Sequence, residues 1–329
     1  MGIDRVTATR YAVVGGAGFI GGHAVDRLLA RPDIEKVTIY DNYSSGRESH
    51  HARHVEDPRL VVVRGDVKNL ETLTEALRGH DTVMHLASNP DIARAATEPD
   101  IDFWEGTFLT NQVVEAMRRA EVPMLLYASG SGVYGDIGFT EADEDHSPLE
   151  PVSTYGASKL SGEVMIAAYA HMFGLRGRAF RFGNVVGPRQ THGVGFDFVR
   201  RLLGDPTQLT ILGNGDQSKS YVHVFDVLDA VFSAETAGGE PFSVFNVATG
   251  DYITVTEIAR LAIDVVGLNP VDVALHYTGG DRGWKGDVPV VRVNTDRIRS
   301  LGWNNRMLSG AALTSAMESM LVDFQANRM

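Results

Sequence analysis

A tyrosine and a lysine stand four residues apart in the segment YGASK, at Tyr155 and Lys159. Pro151, Ser153 and Thr154 come just before it and are typical of the start of a helix. Residues four apart share one helical face, so the phenol and the ammonium are expected to lie side by side. The lysine charge favours the phenolate, which would let the tyrosine accept a proton near neutral pH. Because this spacing also occurs by chance, the hypothesis depends on the rest of the chain.

A glycine-rich turn lies near the amino terminus, between a short apolar run and a helical pattern. Residues 11–14 favour a strand, and the pattern G-x-x-G-x-x-G then falls on Gly15, Gly18 and Gly21. Residues without a Cβ let backbone N–H groups approach a pyrophosphate at the start of a helix. Strand, turn and helix together predict a dinucleotide site.

The next predicted strand, residues 36–40, runs into Asp41, which stands 20 residues beyond Gly21. A dinucleotide site uses a carboxylate at this spacing to accept a hydrogen bond from the 2′-hydroxyl of the adenosine ribose. The same charge would repel the 2′-phosphate of NADP. The predicted cofactor is therefore NAD.

Strands and helices continue to alternate, which predicts an α/β fold with a Rossmann-type doubly wound parallel sheet. The carboxyl ends of such strands share one edge, where ligands bind, and Asp66 at this edge is a candidate for binding the adenine.

Later in the chain the regular alternation of strands and helices stops, which predicts a smaller mixed α/β substrate domain. The expected NAD-binding domain is 1–183 with 224–250 returning to it, and the substrate domain is 184–223 and 251–329. Predicted strands cover residues 60–63, 82–86, 123–128, 175–182, 209–212 and 243–248, and predicted helices 70–78, 102–119, 155–172 and 225–235.

Composition excludes several classes of function. The chain has 329 residues, 43% of them hydrophobic, no cysteine and a net charge of −12. Without cysteine there is no disulfide, thiolate ligand or cysteine nucleophile. The negative charge argues against nucleic acid, and the sequence shows neither an apolar run of roughly 20 residues nor a signal peptide, so a cytoplasmic protein without membrane contact is expected. His50, His51 and His54 complete no metal pattern, and no metal is predicted.

Several further motifs stand in a characteristic order: GGAGFIGG, DNYSSG from Asp41, Gly65-Asp66, HLAS, SGSGVYGD, YGASK and RFGNVVGPR. In order and spacing they resemble those of the extended short-chain dehydrogenases/reductases, in particular nucleotide-sugar epimerases and dehydratases of the UDP-galactose 4-epimerase type. The resemblance covers nearly the whole chain. It is specific for the family and does not specify the substrate.

The resemblance implies roles for individual residues. Tyr155 would be the catalytic base and Lys159 would lower its pKa while reaching the nicotinamide ribose. The NAD-binding residues implied are Gly15, Gly18, Phe19, Ile20, Gly21, Asp41, Asn42, Asp66, Val67, Leu86, Ala87, Ser88, Ser129, Tyr155, Lys159 and Phe182.

Two positions depart from the family pattern. The family usually carries a catalytic Ser or Thr three residues before the Val of VYG, where this chain has Gly130. Ser129 and Ser131 flank it, but side chains alternate along a strand, so neither takes the lost position without rearrangement. Ser131 is kept as a catalytic candidate. Gly106 replaces an Asn that the family often has in the helix at 102–119.

Substrate-binding residues implied by the resemblance lie in the carboxyl-terminal half. Asn184 would face the sugar diphosphate, and Lys219 stands where the family normally has an Arg. A lysine supplies the charge without the bidentate fork of arginine. Arg282 is expected at the diphosphate, with Lys285 as an alternative, and Arg189 could face a substrate carboxylate.

The function implied is that of an NAD-dependent nucleotide-sugar 4-epimerase of the UDP-glucose/UDP-galactose type, acting through a transient 4-keto sugar. A dehydratase needs an Asp-Glu pair where this chain has Ser131 and Gly132. A UDP-glucuronate 4-epimerase or decarboxylase also stays open, although such decarboxylases usually have a Glu at Gly132. A non-catalytic NAD-binding regulator is the alternative of another class. The resemblance also implies a homodimer that pairs through the helices at 102–119 and 155–172.

Overall fold

The computed structural model describes residues 8–326, so the outermost ends of the two predicted domains lie outside the described residues. Strands and helices alternate along it. The strands are β1 (Arg10–Val14), β2 (Lys36–Asp41), β3 (Leu60–Arg64), β4 (Thr82–His85), β5 (Met124–Gly130), β6 (Glu141–Ala142), β7 (Arg176–Phe182), β8 (Asn184–Val186), β9 (Gln208–Ile211), β10 (Ser218–Lys219), β11 (Tyr221–His223), β12 (Phe242–Val247), β13 (Ile253–Thr254), β14 (Ala274–Tyr277) and β15 (Arg292–Val293). The helices are α1 (Phe19–Leu29), α2 (Leu70–Leu77), α3 (Phe108–Ala120), α4 (Thr154–Phe173), α5 (Val194–Gly204), α6 (Val224–Glu235), α7 (Val255–Val266), α8 (Asp296–Arg299) and α9 (Ser309–Gln325).

The main sheet has seven strands in the order β12-β7-β5-β4-β1-β2-β3. β1 pairs in parallel with β2 on one side and with β4 on the other. The strand order therefore reverses at β1, and ligands of doubly wound sheets bind beyond the carboxyl ends of the strands at such a point. The predicted α/β doubly wound fold is confirmed, and the predicted return of residues 243–248 to the main sheet is seen as β12 beside β7.

The chain divides into two compact units. The first contains the chain up to Gly130 together with Thr154–Arg181 and Val231–Phe245. The second contains Ser131–Ser153, Phe182–Ala230 and the chain from Asn246 onwards. The assignment of cofactor and substrate binding to separate segments of the chain stays a prediction.

Each unit has its own apolar core. In the first unit, buried residues of β1, β4, β5 and α3 pack together, among them Val14, Val83, Leu125 and Val113. In the second unit, α5, α7 and α9 bury a cluster that includes Leu202, Ile263 and Met317. No helix within residues 8–326 combines the length and the apolar character needed to cross a bilayer.

Local sequence signals explain where several elements begin. α7 starts with a capping box, in which Thr254 Oγ1 accepts from Glu257 N at 3.2 Å and a Glu257 carboxylate oxygen accepts from Thr254 N at 2.8 Å. These bonds satisfy backbone and side-chain groups at the helix start. The predicted helix at 102–119 is found, and its first part, Phe103–Thr107, is a π-helix that runs directly into α3.

Candidate active site

The glycine-rich turn leaves no room for side chains where β1 passes into α1. Gly15 has a φ of +85°, and a Cβ there would lie 2.7 Å from Ala87 N. A Cβ on Gly21 would lie 2.7 Å from the Cα of Gly16. Gly18 caps α1 with an extended backbone, and Phe19 and Ile20 open the helix with half-buried side chains. The turn is thus a close backbone approach at a helix start, which fits a bound pyrophosphate.

Asp41 ends β2 and is bound to the glycine turn. Its Oδ2 accepts from Ala17 N at 2.9 Å and its Oδ1 accepts from Tyr43 N at 2.8 Å. The side chain is largely buried, at 8% exposure for the residue. Each carboxylate oxygen keeps a lone pair for a ribose hydroxyl, so the arrangement fits NAD at this edge.

Other predicted cofactor residues lie after neighbouring strands of the same sheet. Asn42 and Asp66, after β2 and β3, lie together with Asn42 Nδ2 at 3.4 Å from an Asp66 carboxylate oxygen. Val67 is buried in the core of the first unit. After β4, the backbone N–H groups of Leu86 and Ala87 both donate to Val14 O, at 2.9 and 3.1 Å.

Tyr155 and Lys159 lie near the start of α4, as predicted. Lys159 Nζ lies 5.3 Å from the centroid of the Tyr155 ring and donates a hydrogen bond to Ala128 O at 2.9 Å. Lys159 is buried and Tyr155 is half-buried. The Ser88 side chain, predicted to bind the cofactor, acts on the Tyr155 phenol and lowers its pKa.

The pKa of the Tyr155 phenol departs from the expectation. Burial raises it to about 12, the hydrogen bond to Ser88 lowers it, and the charge of Asp102 raises it. Burial also lowers the pKa of Lys159 to about 8, although Asp102 opposes that shift. Desolvation therefore dominates the pKa of the phenol, and the pair does not by itself give a phenolate at neutral pH.

Asp102 is a buried carboxylate that sequence reasoning missed. Only 1% of the residue is exposed. Its two oxygens accept hydrogen bonds from Asn89 Nδ2 at 2.9 Å and from Thr154 Oγ1 at 2.7 Å. Three separate segments, which contain Asn89, Asp102 and Thr154, meet at this carboxylate beside the start of α4.

Residues 129–131 show what has become of the hydroxyl missing at Gly130. Ser129 Oγ donates to Glu163 at 2.5 Å and is buried, so its hydroxyl is already used. Ser131 follows the end of β5 and begins a 3₁₀ turn, Ser131–Tyr134. Apart from its chain neighbours, no atom of the described chain lies within 4 Å of where a Cβ of Gly130 would be. The lost side chain therefore leaves open space.

Gly106 has a structural reason to differ from the family pattern. It lies in the π-helix before α3, and a Cβ there would lie 2.6 Å from Ser158 Oγ on α4. Because side chains essentially never approach so closely, an asparagine at this position would force α4 or the π-helix to move. The glycine lets the segment before α3 approach the helix that carries Tyr155.

Two of the predicted substrate residues lie together in the second unit. Lys219 Nζ lies 2.5 Å from Asp287 Oδ1, and Arg282 donates to the main-chain oxygen of Asp287 at 2.5 Å. Arg282 also pairs with Asp136 at 2.6 Å. Both cations thus have carboxylate partners with which a diphosphate would compete.

The other predicted substrate residues lie near β8. Asn184 is exposed at the start of β8, and its Nδ2 lies 3.4 Å from Ser220 O. Arg189 is half-buried and has a φ of +67°, a left-handed conformation that is uncommon outside glycine. Phe182, which was predicted to bind the cofactor, is buried at the end of β7.

One ring nitrogen of His50 and one of His85 have structural partners. His50 is buried, and its Nδ1 donates to Ala17 O at 2.8 Å, which supports the glycine turn. His85 Nε2 lies 3.2 Å from Thr110 Oγ1. Over residues 8–326, no group of three or more His, Asp or Glu side chains is arranged to hold a metal ion.

Comparison with known proteins gives one consistent result. Residues 11–248 match the NAD dependent epimerase/dehydratase family. A UDP-glucose 4-epimerase from Mycolicibacterium smegmatis is 32% identical over 320 residues, which cover 94% of this chain and 97% of the other.

Solved structures agree in fold. A UDP-galactose 4-epimerase crystal structure superposes with a TM-score of 0.84 and 35% identity, over 95% of this chain and 99% of that one. A dTDP-glucose 4,6-dehydratase from Streptomyces venezuelae, crystallised with NAD, gives a TM-score of 0.86 at 28% identity, over 97% and 98% of the two chains.

Proposed function

The chain belongs to the NAD dependent epimerase/dehydratase family, and from this we propose that it is a nucleotide-sugar 4-epimerase of the UDP-glucose/UDP-galactose type. Such an isomerase of carbohydrate metabolism holds NAD and forms a transient 4-keto sugar. The observation that carries the proposal is the position of Tyr155 and Lys159 at the start of α4, with Lys159 held by Ala128 O.

The proposed chemistry assigns the proton to Tyr155. Bound NAD would take up the C4 hydride of the sugar and return it. Tyr155 accepts the proton of the C4 hydroxyl as the ketone forms and gives it back when the hydroxyl forms again, so the sugar is neither oxidised nor reduced overall. The phenol must first lose its own proton, and the charge of Lys159 together with that of an oxidised nicotinamide would favour this loss.

The other residues of the proposed site divide by role. We assign to NAD the glycine turn, Asp41 and Asn42, the predicted residues after β3 and β4, Ser129 and Phe182 at the ends of β5 and β7, and Tyr155 and Lys159. We assign Asn184, Arg189, Lys219 and Arg282 to the nucleotide diphosphate sugar. By this assignment the first compact unit contains the cofactor residues other than Phe182, and the second contains the substrate residues. We also place the protein in the cytoplasm, without nucleic acid or membrane as a partner.

A dehydratase is the nearest alternative, because a dehydratase is among the similar structures. Elimination of water needs an acid and a base beside the sugar, and Ser131 and Gly132 supply neither a carboxylic acid nor a carboxylate. A decarboxylase of this type usually has a Glu at the position of Gly132, so the glycine argues against a decarboxylase. A UDP-glucuronate 4-epimerase keeps Arg189 in its favour, as a cation for the carboxylate.

We further propose that the protein is a homodimer that pairs through α3 and α4. The exposed face of α4 carries Val164, Ala168 and Met172, and Phe103 and Trp104 before α3 are half exposed. Val164 is 63% and Met172 is 71% exposed. Apolar side chains exposed along one helix are typical of an interaction surface.

Incubation of the purified protein with UDP-, dTDP- and GDP-hexoses, followed by chromatography, tests the activity. We expect interconversion of UDP-glucose and UDP-galactose with no added oxidant. A 4-keto-6-deoxy product would indicate a dehydratase, and conversion of UDP-glucuronate alone would indicate the uronate epimerase. No conversion of any sugar would favour an NAD-binding regulator.

A further inference from the structure

A buried ion pair lies one helical turn beyond Lys159. Glu163 and Arg181 are each 3% exposed. Arg181 Nε lies 3.0 Å from Glu163 Oε1, and an Arg181 terminal nitrogen lies 2.7 Å from Oε2. The geometry is bidentate, which is the strong form of this interaction. The ion pair joins α4 to β7, which is a strand of the main sheet.

The hydroxyl of Ser129 connects this pair to the end of β5. Ser129 is 4% exposed, and its Oγ donates to Glu163 Oε1 at 2.5 Å. The residue before it is Ala128, whose carbonyl accepts from Lys159 Nζ. The residue after it is Gly130, where no side chain packs. The Ser129 hydroxyl is therefore a side-chain contact that holds this strand end beside α4.

Stability alone does not explain an ion pair at this position. Removing two charges from water costs about as much as their attraction returns, and well-packed apolar side chains of similar volume are often as stable. Buried pairs of this kind can instead fix a particular arrangement of the chain, which requires a defined group to be positioned. The group to be positioned here is the carbonyl of Ala128, which directly precedes Ser129 and accepts a hydrogen bond from Lys159.

We propose that Glu163 and Arg181 are positioning residues: through the Ser129 hydroxyl they fix the end of β5, and with it the Ala128 carbonyl that holds Lys159 beside Tyr155. The inference rests on the proposed function, because it gives the pair a part in the work of Tyr155 and Lys159. It adds residues that do not touch the reacting atoms. Glu163 follows Lys159 and Tyr155 at successive turns of α4, so one helix carries the base, the cation and the anchor.

The readout is the ionisation of Tyr155, because it depends on where Lys159 is held. Asp102 and the Ser88 hydroxyl act on the pKa of the phenol, and Lys159 Nζ lies 5.3 Å from the centroid of its ring. The charge of Tyr155 in turn raises the pKa of the neighbouring Tyr127. Absorbance at 295 nm, recorded against pH on the NAD-loaded protein and corrected with the same variant carrying Tyr155→Phe, reports the pKa of Tyr155. The measurement needs no sugar substrate.

Two variants break the connection at different places. Ser129→Ala leaves the ion pair intact and frees the strand end. Glu163→Leu combined with Arg181→Met keeps an apolar, well-filled site but offers Ser129 no acceptor. We expect both to raise the pKa of Tyr155 by at least about half a unit, a threefold change in its ionisation constant, and to lower kcat about tenfold with KM changed less than threefold. Combining all three substitutions should add nothing further.

Thr82→Ala is the matched control. Thr82 is 1% exposed on β4 of the same sheet, and its hydroxyl donates to the carboxylate of Glu235 at 2.9 Å. Loss of the Thr82 hydroxyl should lower the stability by about as much as Ser129→Ala does, and should leave the pKa of Tyr155 unchanged. If Ser129→Ala and the apolar pair lower the melting temperature as Thr82→Ala does but leave that pKa unchanged, the pair is structural only and the inference is wrong. If the wild type converts no nucleotide sugar, the proposed function fails while the titration still decides the positioning.

Discussion

Lys159 donates a hydrogen bond to the carbonyl oxygen of Ala128 at 2.9 Å, so the cation of the proposed site is held by the end of β5. The lysine is 4% exposed and its pKa is lowered to about 8 by burial. A buried ammonium opposes folding as long as it is charged, because its hydration is lost. The fold keeps this unfavourable group where Tyr155 needs a positive charge.

Lys159 should give the free energy of unfolding a characteristic pH dependence. In the folded protein it releases its proton near pH 8, and in the unfolded chain near its ordinary value of 10.5. Between these values the unfolded state binds more protons, so stability rises with pH, by up to about 3 kcal/mol relative to Lys159→Met. Urea unfolding of the wild type and of Lys159→Met at pH values from 7 to 10 measures this difference in the free energy of unfolding. Parallel curves would show that Lys159 is not desolvated.

Asp41 should determine the choice of cofactor. We expect NAD to bind well over tenfold more tightly than NADP in titration calorimetry of the cofactor-free protein. Asp41→Asn removes the charge, and the amide oxygen can still accept a hydrogen bond from Ala17 N. The variant should therefore show a smaller difference between its affinities for NAD and NADP, while its affinity for NAD changes little. Asp41→Ala also loses that hydrogen bond and should weaken both cofactors. Equal affinities of the wild type for NAD and NADP would contradict the assignment.

Gly130 and Ser131 test which group shares the substrate proton. Because the space at Gly130 is open, Gly130→Ser should fold normally, and a hydroxyl there should raise kcat by about threefold or more. Ser131→Ala should lower kcat less than threefold, under about 0.7 kcal/mol, since Ser131 begins a turn beyond the strand. A large loss in Ser131→Ala would instead assign the missing hydroxyl to Ser131.

The exposed face of α4 predicts the oligomeric state. Sedimentation should show a dimer at micromolar concentration, and Val164→Glu together with Ala168→Glu should give a folded monomer, because buried charges oppose association. Val271→Glu is the control, because Val271 is 85% exposed and lies in the second unit, away from α4 in the chain. This variant should remain a dimer. A wild-type monomer at that concentration would exclude the dimer.

Local patterns made much of the fold predictable. The glycine turn and the alternation of strands and helices each depend on a few neighbouring residues, and each is found where it was predicted. The helix expected at 102–119 begins as a π-helix, and that is where Gly106 comes close to Ser158 on α4, a contact that no local pattern reveals.

The proximity of Tyr155 and Lys159 was predictable from the sequence, and the electrostatics around them were not. Sequence spacing placed Tyr155 beside Lys159, but the degree of burial that raises the phenol pKa depends on packing around α4. Asp102 was missed because its partners come from distant segments. Glu163 stands four residues after Lys159, which was a usable signal, but its partner Arg181 comes from β7 and only the folded chain brings them together.

The central claim is that the Tyr155 phenol carries the proton, and Tyr155→Phe tests it most directly. The ring packing survives while the proton acceptor is lost, so the variant should fold, keep its bound NAD and lose at least about 10² to 10⁴ in turnover of the preferred nucleotide sugar. Turnover by Tyr155→Phe close to that of the wild type would contradict the proposed mechanism.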